Sequence, residues 1–557
     1  MNKVVYSDSL LLAARIGDAE AQNNLGLCYA IGDGVLQDNQ EAIMWFRLSA
    51  EQSYAEAQFN LAVHYANAMG VPQDMKEAVK WYRLAAEQGH ISAQYNLGLF
   101  YADDSNELKD IKEALKWFRL AAEQGDAEAQ YNLAVSYANG VGFSEDMKEA
   151  VHWFRLAAEQ GDIKSQFNLG QHYREGKGVL RNINEAFRWY RLAAEQEDPM
   201  AQFNLGQCYN NGEGAIQDAV EGMRWIHLAA EQGYIEAQYN LALRYSVGMD
   251  VVQDKSKAVK WFRRAAELGD SAAQFKMALH YDSGDGVGQD KKKAVRWARL
   301  AAEQGHAEAQ FFLSFCYGNG NGVVQNEKRA AKWCRLAAEQ GLGNAQFLLG
   351  GCYYSGSGVV QNKKKAVKWY SLAAQQGHVE AQFFLGACYK IGIGVVQDRV
   401  EAVRWFLLAA EQGNANAQFN LGICYKHGKG VAQDKEEAVR WFLLAAEQGD
   451  ADAQGNLALC YYKGEGVTQD TMQAIRWFRL AAAQGNAQAE FYMSMFLFKG
   501  EDLVQDKNQA YFRCLLSAAS GYEDAQKYLG IIEKEINIFE REQLKSRAME
   551  WIKEHKQ

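Results

Sequence analysis

Apolar residues recur along this chain with the period of an α-helix. Between residues 55 and 89, Phe59 and Ala62 stand three positions apart and begin a stripe that fits one helix face. Trp81 and Ala85 belong to a second stripe of the same kind, separated from the first by a glycine-containing segment. Few residues are β-branched, and alternation with a period of two is absent, so strands are not expected. The pattern therefore predicts two helices joined by a short turn.

This pair of helices repeats at a fixed interval. Thirteen of the 14 tryptophans are spaced 36 residues apart without an insertion, from Trp45 to Trp477. Glutamine keeps the same interval from Gln22 to Gln526, interrupted once by Glu490. We call such a set of equivalent positions a column. A fixed interval of about 20–50 residues is typical of solenoids and propellers, and the helical period favours a solenoid.

Polar residues mark the ends of the predicted helices. Asp74 stands at the start of the second helix and Glu77 follows three residues later, which predicts a capping box. Gly89 follows the last turn, at a position where a positive φ is favourable for glycine. Equivalent residues recur in most units, so both helix boundaries are predicted along the whole array.

A column of small residues, which includes Ala62 and Gly98, predicts a close approach between the two helices of each pair. The rings of Tyr65 and Trp81 are expected to fill the space beside it. A bulky residue in this column is therefore expected to overpack the hairpin.

The consensus AxAQxNLGxxYxxGxGVxQDxxxAVxWxxLAAEQG resembles the Sel1-like repeat, a relative of the tetratricopeptide repeat. The resemblance extends from about Ser7 to Gly530. It implies an all-α fold: an α-α superhelical solenoid of about 14–15 two-helix repeats with a C-terminal capping helix. The first helices of the repeats are then expected to line the concave face.

The resemblance also divides the chain. Residues 1–17 are expected to form an N-terminal half-repeat cap, residues 18–530 the repeat array, and residues 531–557 a C-terminal amphipathic capping helix. The last unit departs from the consensus at Glu490 and Arg513, as expected where a terminal repeat meets a different neighbour. The apolar residues assigned to the packing face of the capping helix are Ile532, Ile536, Phe539, Met549 and Ile552.

Composition excludes some classes of function but does not identify one. The chain has 557 residues, is 48% hydrophobic and has a formal net charge of −10, so it can bury a large core and is a poor candidate for nucleic-acid binding. No apolar run approaches about 18 residues, so membrane insertion is not expected. A cytoplasmic location is expected, with leaderless translocation into a host left open.

Arg83, Arg119, Arg155 and Arg191 are each expected to pair with the glutamate four residues later.

Candidate chemistry is sparse. Seven of the nine cysteines form a column, and equivalent side chains in stacked helices lie roughly 8–10 Å apart. That separation is too large for a disulfide or a shared metal ion. No catalytic constellation is found, so neither a metal nor a cofactor is predicted. The resemblance raises one alternative, a β-lactamase-like hydrolase, but that branch of the family has paired cysteines within each unit, which this chain lacks.

One region differs from the rest of the array. Between residues 255 and 390, the column of asparagines that begins at Asn24 becomes Lys276, Phe312, Leu348 and Phe384. In the same units a basic residue replaces the capping glutamate. The candidate partner-binding residues are Phe311, Phe312, Phe315, Phe347, Leu348, Phe383, Phe384, Lys257, Lys293, Arg329 and Lys365. The alternative is that neighbouring units were copied together and that these rings simply pack.

The leading hypothesis is a non-enzymatic scaffold or adaptor that binds a protein or peptide partner on the concave face of a solenoid. Known long arrays of this kind are mostly bacterial. A translocated, effector-type protein that interacts with host cells is the main alternative.

Overall fold

The computed structural model describes residues 6–105 and 108–555 of the chain. Within these residues the secondary structure consists of 31 α-helices and one short 3-10 helix, and the described ranges contain no strand. The all-α fold predicted from the sequence is confirmed. The chain divides into two compact units, the first ending at Leu268 and the second beginning at Gly269.

The first unit contains fifteen of the described helices. They are α1 (Asp8–Arg15), α2 (Ala19–Ile31), α3 (Asn39–Glu51), α4 (Ala55–Ala66), α5 (Met75–Glu87), α6 (Ile91–Ala102), α7 (Ile111–Glu123), α8 (Ala127–Asn139), α9 (Met147–Glu159), α10 (Ile163–Glu175), α11 (Ile183–Glu195), α12 (Pro199–Asn211), α13 (Ala219–Glu231), α14 (Ile235–Val247) and α15 (Lys255–Glu267).

The second unit contains the remaining described helices. They are α16 (Ser271–Ser283), α17 (Lys291–Glu303), α18 (Ala307–Asn319), α19 (Glu327–Glu339), α20 (Gly343–Ser355), α21 (Lys363–Gln375), α22 (Val379–Ile391), α23 (Arg399–Glu411), α24 (Ala415–His427), α25 (Lys435–Glu447), α26 (Ala451–Lys463), α27 (Thr471–Ala483), α28 (Ala487–Lys499), α29 (Lys507–Ala519), α30 (Glu523–Ile532) and α31 (Ile538–His555), with the 3-10 helix Glu533–Glu535 before the last.

Each repeat is a hairpin of an even-numbered first helix and the odd-numbered second helix that follows it. The second helix begins as predicted, because the Asp74 carboxylate accepts hydrogen bonds of 3.0 Å from the backbone N–H groups of Lys76 and Glu77. The reciprocal half of the predicted capping box is wrong, because the Asp74 N–H donates a 3.1 Å hydrogen bond to the Tyr65 carbonyl and not to the Glu77 side chain. The Oε1 atom of Glu77 instead accepts a hydrogen bond of 2.9 Å from the Trp81 indole, which anchors the recurring tryptophan to the first turn.

The cap of the first helix includes a residue type that the sequence did not suggest. Aspartate performs this role in several repeats, as where Asp126 accepts a hydrogen bond of 2.7 Å from the Ala129 N–H. In three repeats a histidine replaces it. The Nδ1 atoms of His90, His306 and His378 accept the equivalent backbone hydrogen bond at 3.2–3.3 Å.

The small column lies under a different ring from the one expected. A Cβ atom at Gly98 would stand 2.5 Å from the Phe118 ring. The expectation that Tyr65 and Trp81 fill this space is therefore wrong. The ring of the residue that follows the tryptophan fills this space. That residue projects towards the partner helix and is fully or almost fully buried, as at Phe118 and Tyr82.

A ladder of glutamine side chains joins successive repeats. Gln94 is buried, and its Nε2 donates a 3.0 Å hydrogen bond to the Ala86 carbonyl of the preceding second helix. Its Oε1 accepts a 2.7 Å hydrogen bond from Nε2 of Gln124, thirty residues later. Twelve such glutamine pairs occur in the part of the chain that the structure describes, at 2.7–2.9 Å. The ladder is interrupted at Leu268, which leaves the buried Oε1 of Gln238 without a hydrogen-bond partner.

The final repeat replaces this ladder with an ion pair. Glu490 occupies the glutamine column, and its carboxylate accepts a 2.7 Å hydrogen bond from Arg513, which occupies the tryptophan column. The Glu490 side chain is almost completely buried, and burial raises its pKa although the Arg513 charge acts in the opposite direction. The sequence identified both departures but not their contact.

The C-terminal helix α31 packs on α29 along a seam that includes Ala548 and Trp551. Ile532 and Ile536 are buried before this helix begins, and Ile552 is half-buried. Phe539 and Met549 are exposed, so their assignment to the packing face is wrong. At the other end, α1 is capped by Ser7, and residues 1–5 of the predicted N-terminal cap lie outside the described residues. The division into caps and array remains a prediction.

Candidate interaction surface

The cysteines lie in the packed interior of the repeats and form no disulfides. All nine are free, and eight of them are buried. Burial raises the pKa of Cys208, Cys316 and Cys388 to about 11, so their thiols are protonated at neutral pH.

Among the residues that the structure describes, no group of three or more His, Cys, Asp or Glu side chains could hold a metal ion. No helix in the described ranges is long and apolar enough to cross a membrane.

The seven apolar candidate residues lie on three first helices of the second unit. Phe311, Phe312 and Phe315 belong to α18, Phe347 and Leu348 to α20, and Phe383 and Phe384 to α22. We call these seven residues the Phe group. Phe315 and Phe384 are the most exposed, at 45% and 41%, and the other five are half-buried.

The structure brings three members of the Phe group together across two repeats. The ring centroid of Phe384 lies 5.7 Å from that of Phe347 and 5.4 Å from that of Phe383. Both Phe347 and Phe384 also pack on Tyr370, at 5.7 and 5.8 Å. Tyr370 is buried, which raises the pKa of its hydroxyl. The exposed ring of Phe384 therefore rests on a buried aromatic base.

Some members of the Phe group make contacts that recur elsewhere in the array. Phe347 lies 4.7 Å from the ring of His378, the cap of the next first helix, and Phe59 lies 4.6 Å from the ring of His90 in the same way. Phe311, Phe347 and Phe383 occupy a column that is aromatic in most repeats. Their partial burial is thus explained by packing between repeats.

The substituted asparagine column is where this region differs. In five repeats of the described chain the asparagine amide donates a hydrogen bond to the carbonyl four residues earlier in its own helix, as Asn96 does to Ser92 at 2.7 Å. Phe312, which holds this position in α18, instead packs on Phe275 of the preceding repeat with a centroid distance of 6.1 Å. An aromatic contact between repeats thus replaces a polar side chain that bonds within its own helix.

The four basic candidates occupy a different environment. Each lies over the ring of the tyrosine twelve residues earlier, in the first helix of its own hairpin. The distances from charge to ring centroid are 5.4 Å for Lys257 over Tyr245, 5.4 Å for Lys293 over Tyr281, 5.6 Å for Arg329 over Tyr317 and 5.4 Å for Lys365 over Tyr353. These are cation–π contacts of ordinary length. Lys257 lies in the first unit, and the other three lie in the second.

The predicted arginine–glutamate pairs are mostly wrong. Of the four, Arg191 with Glu195 forms an ion pair, at 2.7 Å. Arg83, Arg119 and Arg155 instead donate hydrogen bonds to the hydroxyl of the tyrosine eighteen residues later, at 2.5 Å for Arg83 and 2.7 Å for Arg155. The arginine and tyrosine columns were visible in the sequence, but nothing in the pattern showed that they meet across neighbouring repeats.

The same tyrosines serve both contacts in the second unit. Tyr317 accepts a 2.9 Å hydrogen bond from Arg299 of the preceding repeat, while Arg329 of its own repeat lies over the ring. Tyr353 has the same two neighbours, Arg335 at 3.1 Å and Lys365. The basic residues therefore lie beside the tyrosine column, whereas Phe347 and Phe384 lie against Tyr370.

Comparison with known proteins identifies similarity to one family of repeat proteins. A model of the Sel1 repeat matches fourteen consecutive segments, from residues 19–54 to residues 487–521. A protective antigen from uropathogenic Escherichia coli strains, c5321, whose crystal structure displays an SLR fold, is 34% identical. The match covers 86% of this chain and 95% of that chain, with a TM-score of 0.62. A Sel1 repeat protein from Oxalobacter formigenes is 36% identical over 54% of this chain and 88% of its own, with a TM-score of 0.45. A search of curated proteins found no match.

Proposed function

Because this chain belongs to the Sel1 repeat family, whose helical repeats commonly serve as protein-interaction scaffolds, we propose that it is a non-enzymatic scaffold that binds a protein or peptide partner. The proposed contact surface is the Phe group, on the first helices that we expect to line the concave side of the array. Interaction surfaces are enriched in aromatic side chains that are partly exposed and rigidly supported.

The observation that supports this proposal most strongly is the setting of Phe384. Its ring is 41% exposed, yet it is held by Phe347, Phe383 and the buried Tyr370. A ring that is already fixed loses little side-chain entropy when a partner covers it. Asparagine occupies this column in most other repeats, so the repeat fold does not require an aromatic residue there.

The test is affinity capture with the intact chain and a double variant, Phe312→Asn with Phe384→Asn. The variant carries the residue used elsewhere in the column, so we expect its circular dichroism to match that of the parent and its partner to be lost. Leu99→Asn is the matched control, because Leu99 lies on a first helix of the first unit and is also 41% exposed. A partner retained by the double variant, or lost equally from the control, would place the contact elsewhere.

The similarity to c5321 favours a second candidate, a bacterial protein that meets host cells or host antibodies. That protein is described as a protective antigen, and the match covers most of both chains. We propose this role for the present chain on that similarity alone. Antibody labelling of intact source cells tests it, with permeabilised cells as the control. Labelling that appears after permeabilisation and not before would contradict exposure to a host.

A further inference from the structure

Among the described residues, six of the fourteen second helices carry an ion pair between a first-turn glutamate and an exposed basic residue. The glutamate three residues before the basic residue neutralises it, as in Lys80 with Glu77 at 3.0 Å and Arg440 with Glu437 at 3.0 Å. The equivalent pairs are Lys116–Glu113, Arg188–Glu185, Arg224–Glu221 and Arg404–Glu401. In these six helices the glutamate balances the charge of the basic residue.

Three consecutive second helices of the second unit lack this balance. In α17, α19 and α21 the glutamate is replaced by Lys293, Arg329 and Lys365. The basic residues at the other end of the former pair remain, as Arg296, Lys332 and Lys368. A third exposed column adds Lys292, Lys328 and Lys364. Nine cations thus occupy one face of three neighbouring helices. Two acidic residues stand among them: Glu327 in the first turn of α19, and the capping Asp290, which lies 3.5 Å from Lys293.

The first turn of a helix is an unfavourable place for so many cations. The helix dipole gives this end a partial positive charge, and acidic residues are stabilising there. Lys292, Lys328 and Lys364 stand in the first turn, directly before the basic residue that has replaced the capping glutamate. An arrangement that opposes the local rule in three repeats, and is absent from most others, points to a function outside the fold.

Aliphatic side chains stand beside these lysines. Val324, Val360 and Val396 lie in the turns between first and second helices, and each is 88% exposed. Each turn lies against the second helix of the preceding repeat. At Gly358, a Cβ atom would stand 2.1 Å from the Glu327 carbonyl oxygen, and Val360, Lys328 and Glu327 itself line the same cleft.

The turns that contain Gly322 and Gly394 approach the second helix of the preceding repeat equally closely. At Gly322 a Cβ atom would stand 2.2 Å from the Lys291 carbonyl oxygen, and at Gly394 it would stand 2.3 Å from that of Lys363. Exposed valines and exposed lysines therefore alternate from repeat to repeat. We call Lys292, Val324, Lys328, Val360, Lys364 and Val396 the basic edge.

We propose that the basic edge binds the surface of an anionic lipid bilayer. Lysines attract anionic headgroups as solvated point charges, and small aliphatic tips can enter the boundary between headgroups and acyl chains. The valines project as separate tips and form no deep apolar pocket, which suits a deformable bilayer better than a folded acidic protein. The association is peripheral and requires no spanning helix.

Vesicle flotation tests the proposal with the full chain. The probes are vesicles of phosphatidylcholine alone and vesicles with about 30% phosphatidylserine. We expect binding to the anionic vesicles, weakened by salt because exposed charges are screened. Reversal of the three lysines, Lys292→Glu with Lys328→Glu and Lys364→Glu, should reduce binding by at least about tenfold.

The first unit supplies a matched control. Lys76, Lys112 and Lys148 occupy the same helix position as the three lysines and are also exposed, but each is followed by a glutamate. Their reversal to glutamate makes the same change in net charge and should leave vesicle binding within about twofold. Circular dichroism of both triple variants checks that the helices remain folded.

The aliphatic contribution has its own control. Val324→Ser with Val360→Ser and Val396→Ser should weaken binding to anionic vesicles. Ile216→Ser with Val252→Ser should not, because these residues are 91% and 89% exposed at the same turn position, but the equivalent lysine positions beside them hold Asn184, Val220 and Ser256.

Three outcomes would overturn the proposal. One is absence of binding to anionic vesicles by the parent chain. Another is equal loss of binding in the two lysine-reversal variants, which would show a response to net charge alone. The third is binding to a polyglutamate peptide, sensitive to the basic edge, without binding to vesicles, which would identify an acidic protein segment as the partner.

Discussion

The interruption in the glutamine ladder offers a direct test of what this ladder contributes. The perturbation is Leu268→Gln, which restores the residue found at the equivalent end of most second helices. Gln238 already donates a 3.0 Å hydrogen bond to the Ala230 carbonyl, and its side chain is buried. Its Oε1 is the atom without a partner. A glutamine at position 268 would reach this oxygen as Gln232 reaches Gln202, at 2.9 Å.

The expected gain in stability arises because the buried Oε1 atom of Gln238 has no hydrogen-bond partner. A buried acceptor without a partner costs about 1–3 kcal/mol, and the new hydrogen bond removes this cost. Two terms oppose the gain. Leu268 is 55% exposed, so its replacement loses only part of the about 1.5–3 kcal/mol that full burial of a leucine provides. Fixing a glutamine side chain costs further entropy. The net expectation is a stabilisation of about 1 kcal/mol.

Native-state hydrogen exchange of α14 and α15 is the assay, because a long repeat array need not unfold in one step. Slower exchange is expected in these two helices. Leu268→Met is the control, since methionine has a similar length without an N–H donor. Gln232→Leu is the reverse test and should accelerate exchange by orphaning Gln202. Equal exchange in the glutamine and methionine variants would refute the account of the ladder.

Three further predictions follow from the described contacts. Gly98→Leu should cost about 1–3 kcal/mol by thermal melting, because even a Cβ atom would stand 2.5 Å from the Phe118 ring; an unchanged melting temperature would contradict this packing. Arg513→Leu should cost about 3 kcal/mol at neutral pH by leaving Glu490 buried and unpaired. Burial raises the pKa of Glu490 in the folded state, so this deficit should shrink as pH falls through that pKa, and a pH-independent deficit would contradict the charge argument. Native cysteines such as Cys316, whose pKa burial raises to about 11, should resist iodoacetamide at pH 7 and react after denaturation; rapid labelling of the folded chain would refute their burial.

The candidate site was only partly predictable. The sequence identified the unusual repeats because a column changes its residue type there, and Phe312 and Phe384 stand in that column. It also grouped the basic residues with the phenylalanines, since both changes occur in the same units. The structure separates them: Lys365 lies over Tyr353, whereas Phe384 lies against Tyr370. The sequence pattern did not predict that Val324, Val360 and Val396 are exposed, because an aliphatic residue that recurs in most units is typical of a packing position.

The sequence by itself determined the period, the helical pairs and their caps. These features depend on interactions between residues at most four positions apart, such as Asp74 with Glu77, and repetition displays them many times. Only the tertiary structure decided which columns meet. The separation is eighteen residues for Arg83 and Tyr101, twenty for Gly98 and Phe118, and thirty for Gln94 and Gln124. Every column has the same period, so the period cannot show the register between columns; that register is set by how the helices pack.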